Sequence, residues 1–449
     1  MSSGLALGID IGTTTTAASV IDSTRKPLAH AGVTHKAGLP AGAADIAEQD
    51  PNRIFESVRI AVTSLPADLR RRVRSIGVTG QMHGCLFLDK TNLPLSPLIT
   101  WQDNRANRDG FLARLNESAN LNLSAGFAFA TVAYLLAQNQ LPPDTTQLAT
   151  IPDYITARLT ASKNIKTDPT LAHSMGLFDL QSICWDKPAF ERANIPLSLA
   201  PQIAHCSTPI GALCPDVAKS LQLPPGIGVT VALGDNQASI LALTTDPDAE
   251  LYLIMGTGAQ LSALTEPDFT PPARDAHKPY EYRPFPGGRY IFTTASVAGG
   301  CAWAWLPETI TAILKDLNIA APAEDDLYRK LNALADPSGD IAPLTFTPTF
   351  TGRRHSPDVK ASIENITATN FTLSNLTTAL AEGIITELKI NFPEHILKQK
   401  TRLIAAGNTI QQNSKLQTAA KKILNLPLTI GQIREPGDTG AAINSLITL

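Results

Sequence analysis

The residues best suited to chemistry fall into short polar clusters, each placed at the end of an apolar run. The first is Gly8-Ile9-Asp10-Ile11-Gly12-Thr13-Thr14-Thr15-Thr16, entered from Leu5-Ala6-Leu7 and left through Ala17-Ala18-Ser19-Val20-Ile21. Two apolar runs around a glycine-bearing polar tip read as a β-hairpin. Gly12 permits close backbone approach. Thr13, Thr14, Thr15 and Thr16 offer hydroxyl and backbone N–H groups that can surround phosphate oxygens. Asp10 is a hard oxygen ligand of the kind Mg²⁺ takes, directly or through water. No Gly-Lys-Thr or Gly-Lys-Ser follows, so this is not a P-loop. An ordinary hairpin with threonines on a solvated turn is the plain alternative.

A second cluster, Gly80-Gln81-Met82-His83-Gly84, ends the strand-like run Val73–Thr79. Gln81 and His83 offer both donors and acceptors, as a sugar hydroxyl requires; a tight turn with a solvated histidine is the alternative. In Thr100-Trp101-Gln102-Asp103-Asn104-Arg105, the Trp101 face can cover the apolar side of a sugar while Gln102 and Asp103 bond hydroxyls. Arg105 can equally form a structural ion pair with Asp103. The β-branched run Val229–Leu233 leads into Gly234-Asp235-Asn236-Gln237 and then a helix. A carboxylate at such a junction faces the cleft of an α/β fold. It can take the proton of an alcohol attacking a phosphoryl group. Capping the helix is its other role, and the two can coexist.

Leu251–Leu264 repeats the opening design, with Gly256-Thr257-Gly258 as its tip. Two such hairpins form an internal repeat, which would set two phosphate loops face to face across a cleft. Arg402–Ala406 reads as a further strand, and the turn at Gly407-Asn408 would let a flat purine lie against backbone. Gly299-Gly300 opens another helix.

The elements that must position these clusters follow the same pattern. Residues 1–35 read as three strands, and a helix begins at Asp50-Pro51, with Asp50 as N-cap. With the strand at 73–79, the order β-β-β-α-β is the start of an actin-like (ribonuclease H-like) half. Residues 106–140 read as mainly helical, and a helix starts at Asp153. The helix over 371–392 turns Leu373, Leu376, Leu380 and Ile384 inward, the run 414–424 is helical, and a last helix starts near Asp438. Trp303 and Trp305 read as core.

A chain of 449 residues suits two domains, and the repeat places them at 1–243 and 244–449. Apolar residues make up 43%, enough for large cores. A net charge of −3 gives no reason to expect a nucleic-acid or membrane partner. Five widely spaced cysteines without Cys-x-x-Cys argue against a disulfide framework and a zinc ribbon. With no signal segment and no apolar run of spanning length, the expectation is a cytoplasmic monomer or homodimer.

In their order and spacing these stretches resemble the FGGY family of carbohydrate kinases, from about Leu5 to the C-terminus. Gly8–Thr16, Gly80–Gly84, Thr100–Arg105, Gly234–Gln237, Gly256–Gly258, Ala405–Asn413 and Gly437–Ala442 carry the resemblance. Within the family, Thr100–Asp103, the Asp153-Tyr154 helix, Gly176–Gln181 and Gly352–Ile363 resemble sedoheptulokinases. Gln81–Gly84 is shared with xylulokinases, and Asn236 is also xylulokinase-like. Ala17 stands where glycerol kinases carry arginine. Ala405-Ala406-Gly407 replaces a more glycine-rich adenosine signature.

The resemblance implies an α/β protein of two actin-like domains, with ATP and sugar in the cleft between them. It implies transfer of the γ-phosphoryl group of MgATP to the terminal hydroxyl of a small-molecule ketose, sedoheptulose first, xylulose or another ketose or polyol second. Asp235 would be the base and Asp10 would help hold Mg²⁺. Gln81, Met82, His83, Trp101, Asp103 and Asn236 would meet the sugar. Gly12, Thr13, Thr14, Thr15, Gly256, Thr257 and Gly258 would meet phosphates, with Gly299, Gly407 and Asn408 near the nucleoside. A non-catalytic sugar or nucleotide sensor and a polymerising actin-like ATPase are the rival readings.

Overall fold

Leu5–Ile11 (β1) is buried along nearly its whole length, and its neighbours explain why. Thr15–Ile21 (β2) pairs with it antiparallel, and Pro27–Thr34 (β3) pairs antiparallel with β2. Val73–Gly80 (β4) lies parallel on its other side, followed by Gly228–Thr230 and Pro209–Ala212. A computed structural model of the chain describes residues 4–272, 278–296, 299–337, 342–350, 352–353, 358–431 and 436–446. Val297-Ala298 and Arg354–Pro357, which belong to stretches used in the sequence reading, lie outside the described residues.

One register feature of this sheet positions the site. Ile11 pairs with Gly80, and the two-residue strand Leu233–Gly234 pairs with Thr79 and Gly80. Three strand ends therefore arrive side by side at one edge, and the chain leaves them as Gly12-Thr13, Gln81-Met82 and Asp235-Asn236. Carboxyl ends of strands are where open α/β sheets place ligands.

The second sheet repeats the first. Glu250–Met255 (β5) and Ala259–Leu264 (β6) form the second hairpin, and Arg289–Ser296 (β7) pairs antiparallel with β6. Arg402–Ala406 (β8) lies parallel to β5, and Leu428–Ile430 lies parallel to β8. Glu281–Phe285 adds an edge strand to β7. Ile254 opposite Ala406 brings the Gly256 tip beside Gly407. Each sheet has its own apolar core, one around Leu7, Ile9 and Val78 and one around Leu253, Leu261 and Leu403. A third, around Phe87, Phe129 and Phe190, sits in the inserted segment of the first half.

Helix Pro51–Ser64 (α1) is capped by Asp50, whose carboxylate accepts from the Asn52 N–H at 2.8 Å. Asp235–Leu243 (α2) and Leu373–Lys389 (α3) follow, and the chain ends with Pro436–Leu446 (α4). The last helix packs backbone against backbone. A Cβ at Gly8 would lie 1.7 Å from the Asp438 carbonyl oxygen, and one at Gly77 would lie 1.9 Å from that of Ala441. One at Gly440 would lie 1.8 Å from the carbonyl oxygen of Ala238 in α2. The division at residue 243 assigns α4 to the second half of the chain; the structure packs it on the first sheet and on α2.

Local expectations need three corrections. Val229–Leu233 is not one strand: pairing stops at Thr230 and resumes at Leu233, and α2 begins at Asp235 itself. Leu373 is 42% exposed, because it opens α3 before that helix reaches the sheet, whereas Leu380 and Ile384 are fully buried. The helical stretch over 106–140 is broken after Ala119, where Asn120 turns left-handed with φ 47°. All five cysteines are free, and among the described residues no helix is long and apolar enough to cross a membrane.

Candidate active site

Asp235 is the first residue of α2, with Gly234 as the N-cap. Its Oδ1 accepts the Asn236 N–H at 2.7 Å. The side chain keeps some contact with solvent, yet it sits deep among protein atoms, and burial pushes its pKa up to about 6. The Asn236 N–H bond and the Arg283 guanidinium pull in the opposite direction without cancelling that rise. Gly234 keeps the turn tight: a Cβ there would meet the Met82 sulfur at 2.9 Å. Met82, 6% exposed, thus packs directly against the turn that carries the carboxylate.

Asn236 faces the second lobe. Its Nδ2 donates to Gln260 Oε1 at 2.7 Å, and its Oδ1 accepts from Arg283 Nη1 at 3.4 Å. Arg283, itself paired with Glu281 at 2.9 Å, had no signal in the sequence because it lies mid-strand outside any motif. Gln260 had one: it lies two residues past the Gly256–Gly258 tip.

The polar residues of 81–83 and 101–105 gather around the opening hairpin. His83 stands in a left-handed turn, φ 75°, and its ring stacks on Phe127 with centroids 4.8 Å apart. Its Nδ1 donates to the Ser174 carbonyl at 2.8 Å, which makes Nε2 the acceptor of the neutral ring. Gln81 is 4% exposed and donates to Gln49 Oε1 at 2.9 Å. Trp101 is 46% exposed, and its indole N–H donates to Thr13 Oγ1 at 2.9 Å.

Asp103 is the correction here. Its Oδ1 accepts from the Arg105 backbone N–H and Nε, and its Oδ2 from the Ala47 N–H and Arg105 Nη2. A carboxylate 1% exposed with four donors has no capacity left for a hydroxyl. The structural ion pair with Arg105 is the role the structure gives it.

Gly12 and Thr13 lie at the tip of the first hairpin and Thr14 is exposed there, while Thr15 already belongs to β2. Thr16 points into the core, where its hydroxyl meets Ser57 Oγ at 2.6 Å. Asp10, opposite Ala17 and Thr79, presses its Oδ2 so close to α4 that a Cβ at Gly437 would lie 2.1 Å from it. In the second lobe three glycine turns meet. Gly300 N–H donates to the Gly256 carbonyl at 2.9 Å, and Thr409 Oγ1 donates to the same oxygen at 3.0 Å. A Cβ at Gly299 would lie 2.3 Å from the Gly258 carbonyl carbon. Gly407, φ 101°, lets Asn408 start its short helix against Met255, and both tip and Asn408 remain exposed.

The chain resembles known proteins along its whole length. Mouse sedoheptulokinase is 29% identical over 99% of this chain and 96% of its own length. The xylulose kinase of Staphylococcus xylosus is 25% identical over 97% of this chain and 89% of its own length. Among solved structures, the xylulose kinase of Rhodospirillum rubrum superposes with a TM-score of 0.82, at 21% identity, over 99% of this chain and 89% of that one. That likeness shows the two-domain actin-like fold. Residues 5–242, over half of the chain, match the model of the FGGY family of carbohydrate kinases, N-terminal domain. The chain therefore belongs to the FGGY family of carbohydrate kinases, and its activity is that of a phosphotransferase.

Proposed function

We propose that the chain transfers the γ-phosphoryl group of MgATP to the terminal hydroxyl of sedoheptulose, giving sedoheptulose 7-phosphate. The observation that carries the choice of sugar is the likeness to mouse sedoheptulokinase along nearly all of both chains. The chemistry is supported by the shared register of Ile11, Gly80 and Gly234, which sets hairpin tip, sugar-side amide and carboxylate at one edge.

Asp235 takes the hydroxyl proton at Oδ2 while Asn236 N–H holds Oδ1. A base with a pKa of about 6 is ionised at neutral pH, yet more basic than an ordinary aspartate. Gln81, His83 and the Trp101 ring orient the sugar, and Met82 backs the reacting end. The tips at 12–15 and 256–258 present N–H and hydroxyl groups to phosphates, with Gly299, Gly407 and Asn408 toward the nucleoside. Among the described residues no three His, Cys, Asp or Glu side chains cluster as a metal site. One carboxylate, that of Asp10, fits an ion carried on ATP phosphates, because Mg²⁺ commonly takes only one or two protein carboxylates. Bound there, Mg²⁺ would neutralise charge on phosphate oxygens.

Xylulose is the second reading, favoured by Gln81–Gly84, by Asn236 and by the Staphylococcus xylosus relative. ADP release over a panel of ketoses and polyols decides between them. The two sugars differ by two carbons, and misplacement of about 1 Å can cost on the order of 10²-fold. The expected kcat/KM for sedoheptulose exceeds that for xylulose by at least that factor, with glycerol near background. A preference for xylulose overturns the sugar and keeps the kinase; no phosphorylation of any ketose or polyol revives the sensor.

A further inference from the structure

Two of the polar clusters, together with one residue outside any of them, converge on Thr13. Trp101 Nε1 holds its hydroxyl, and Gln49 Nε2 donates to its carbonyl at 2.7 Å. Gln49 Oε1 in turn accepts from Gln81 Nε2 at 2.9 Å. A backbone carbonyl only accepts, so the end of Gln49 that faces Thr13 must be its nitrogen. Gln49 then turns its oxygen to Gln81, which must offer its own nitrogen. One carbonyl thus fixes both amides, and Gln81 Oε1 is left buried with no partner among the described residues. A buried acceptor without a donor is costly, and a sugar hydroxyl supplies one.

The arm that carries Gln49 is braced. It sits in the two-residue strand Glu48–Gln49, paired with Leu98–Ile99, immediately before the Asp50 cap of α1. Arg105, held by Asp103, also grips Glu48. Gln49 itself is 6% exposed and touches neither substrate in the proposed arrangement.

We propose that Gln49 is a positioning residue that ties the sugar-side amide of Gln81 to the Thr13 carbonyl and so holds the phosphate loop in place for transfer. This rests on the reading of Gly12–Thr15 as a phosphate loop and of Gln81 as a sugar contact. Sugar occupancy at Gln81 Oε1 then stiffens the same chain of bonds that fixes the loop.

The test measures kcat, KM for ATP and KM for the best ketose in the panel, together with Tm, for Gln49→Leu, Gln49→Glu, Gln81→Leu and the Gln49→Leu/Gln81→Leu double variant. Misplacement of the loop predicts a kcat loss of about 10- to 100-fold in Gln49→Leu. Both KM values should stay within about threefold, since neither substrate loses a direct contact. Gln49→Glu, nearly isosteric but unable to donate to Thr13 at neutral pH, should be impaired to a similar degree even where Gln49→Leu folds poorly. The double variant should fall no lower in kcat than the worse single, because both break one chain. Full kcat in folded Gln49→Leu and Gln49→Glu, a loss confined to Tm, or additive kcat losses would overturn the proposal. Asp235→Asn assayed alongside separates the failures. Full activity in Asp235→Asn sinks the site reading, whereas an inactive Asp235→Asn beside a fully active Gln49→Leu sinks the role of Gln49 alone.

Discussion

In the role proposed for it, Asp235 combines two properties that oppose each other: it must be charged to accept a proton, and it sits where charge is unfavourable. Burial raises its pKa from 3.8 to about 6, against the pull of the Asn236 N–H and Arg283. Two results follow. The acidic limb of kcat/KM should fall near pH 6, since activity is lost as the base is protonated; a limb at or below pH 4 would mean that another group limits the rate. Asp235→Asn should lose about 10²–10⁴-fold in kcat. Its stability should move the other way. A carboxyl whose folded pKa is raised contributes stability that is full below the unfolded value and lost as pH rises through the folded one. At pH 7.5 the native carboxylate is a buried charge, so Asp235→Asn should melt no lower than the native protein. Activity within a few-fold of native, or a sharply lower Tm, would remove Asp235 from this role. At this scale the sequence was legible where the pattern is local, as in the placement of Asp235 between a strand end and a helix. It was silent on Gln49, whose amide partners lie 32 and 36 residues away along the chain. It left Asp103 open, because the Ala47 N–H that completes its set of donors is 56 residues away.

Elements were legible to the extent that their pattern is local. Both hairpins announce themselves by apolar runs around a glycine tip, and α1 by its Asp-Pro start. The break at Val231-Ala232 was hidden, because β-branched and apolar residues suit a buried crossing as well as a strand. The small residues of α4 signal close packing without saying against what. The partners are Gly8, Gly77 and Ala238, so small residues from three distant stretches serve one helix. Gly8, read as part of the phosphate motif, in fact makes room for α4. Backbone cannot yield as a side chain can, so Gly77→Ala and Gly440→Ala should each cost at least about 1–3 kcal/mol. Gly42→Ala, with nothing within 4 Å of its added Cβ, is the control and should stay within about 0.5 kcal/mol. Urea denaturation reads both. Gly440→Ala as stable as Gly42→Ala would show that the helix shifts freely on α2.

The molecule as a whole was legible as two repeats, but how they meet was not. The structure joins them across the second sheet, where Ile240 and Leu243 of α2 pack with Tyr252, Ile291 and Ile404. Asn236 bonds Gln260, Gln237 Nε2 donates to the Pro284 carbonyl at 3.2 Å, and Gln181 Nε2 to that of Pro271 at 3.1 Å. Tyr290 donates its hydroxyl to the Leu180 carbonyl at 2.7 Å. Gly176–Gln181, singled out for its resemblance to sedoheptulokinases, is thus part of the seam. The two hairpin tips are anchored differently. Thr13 is held by Gln49 and Trp101, and Gly256 and Thr257 by Gly300, Cys301 and Thr409, each within its own half. Among the described residues no hydrogen bond joins one tip to the other. Lobes packed together behind two unbridged tips can act as a hinge, and if the tips bind phosphates as proposed, a ligand touching both would close it. Small-angle scattering should therefore show a smaller radius of gyration with the preferred ketose and a non-hydrolysable ATP analogue than with neither. Either ligand alone should give less of the change, since only the pair spans the seam and both tips. An unchanged radius with both ligands bound would mean that the free protein already holds its tips at the transfer distance.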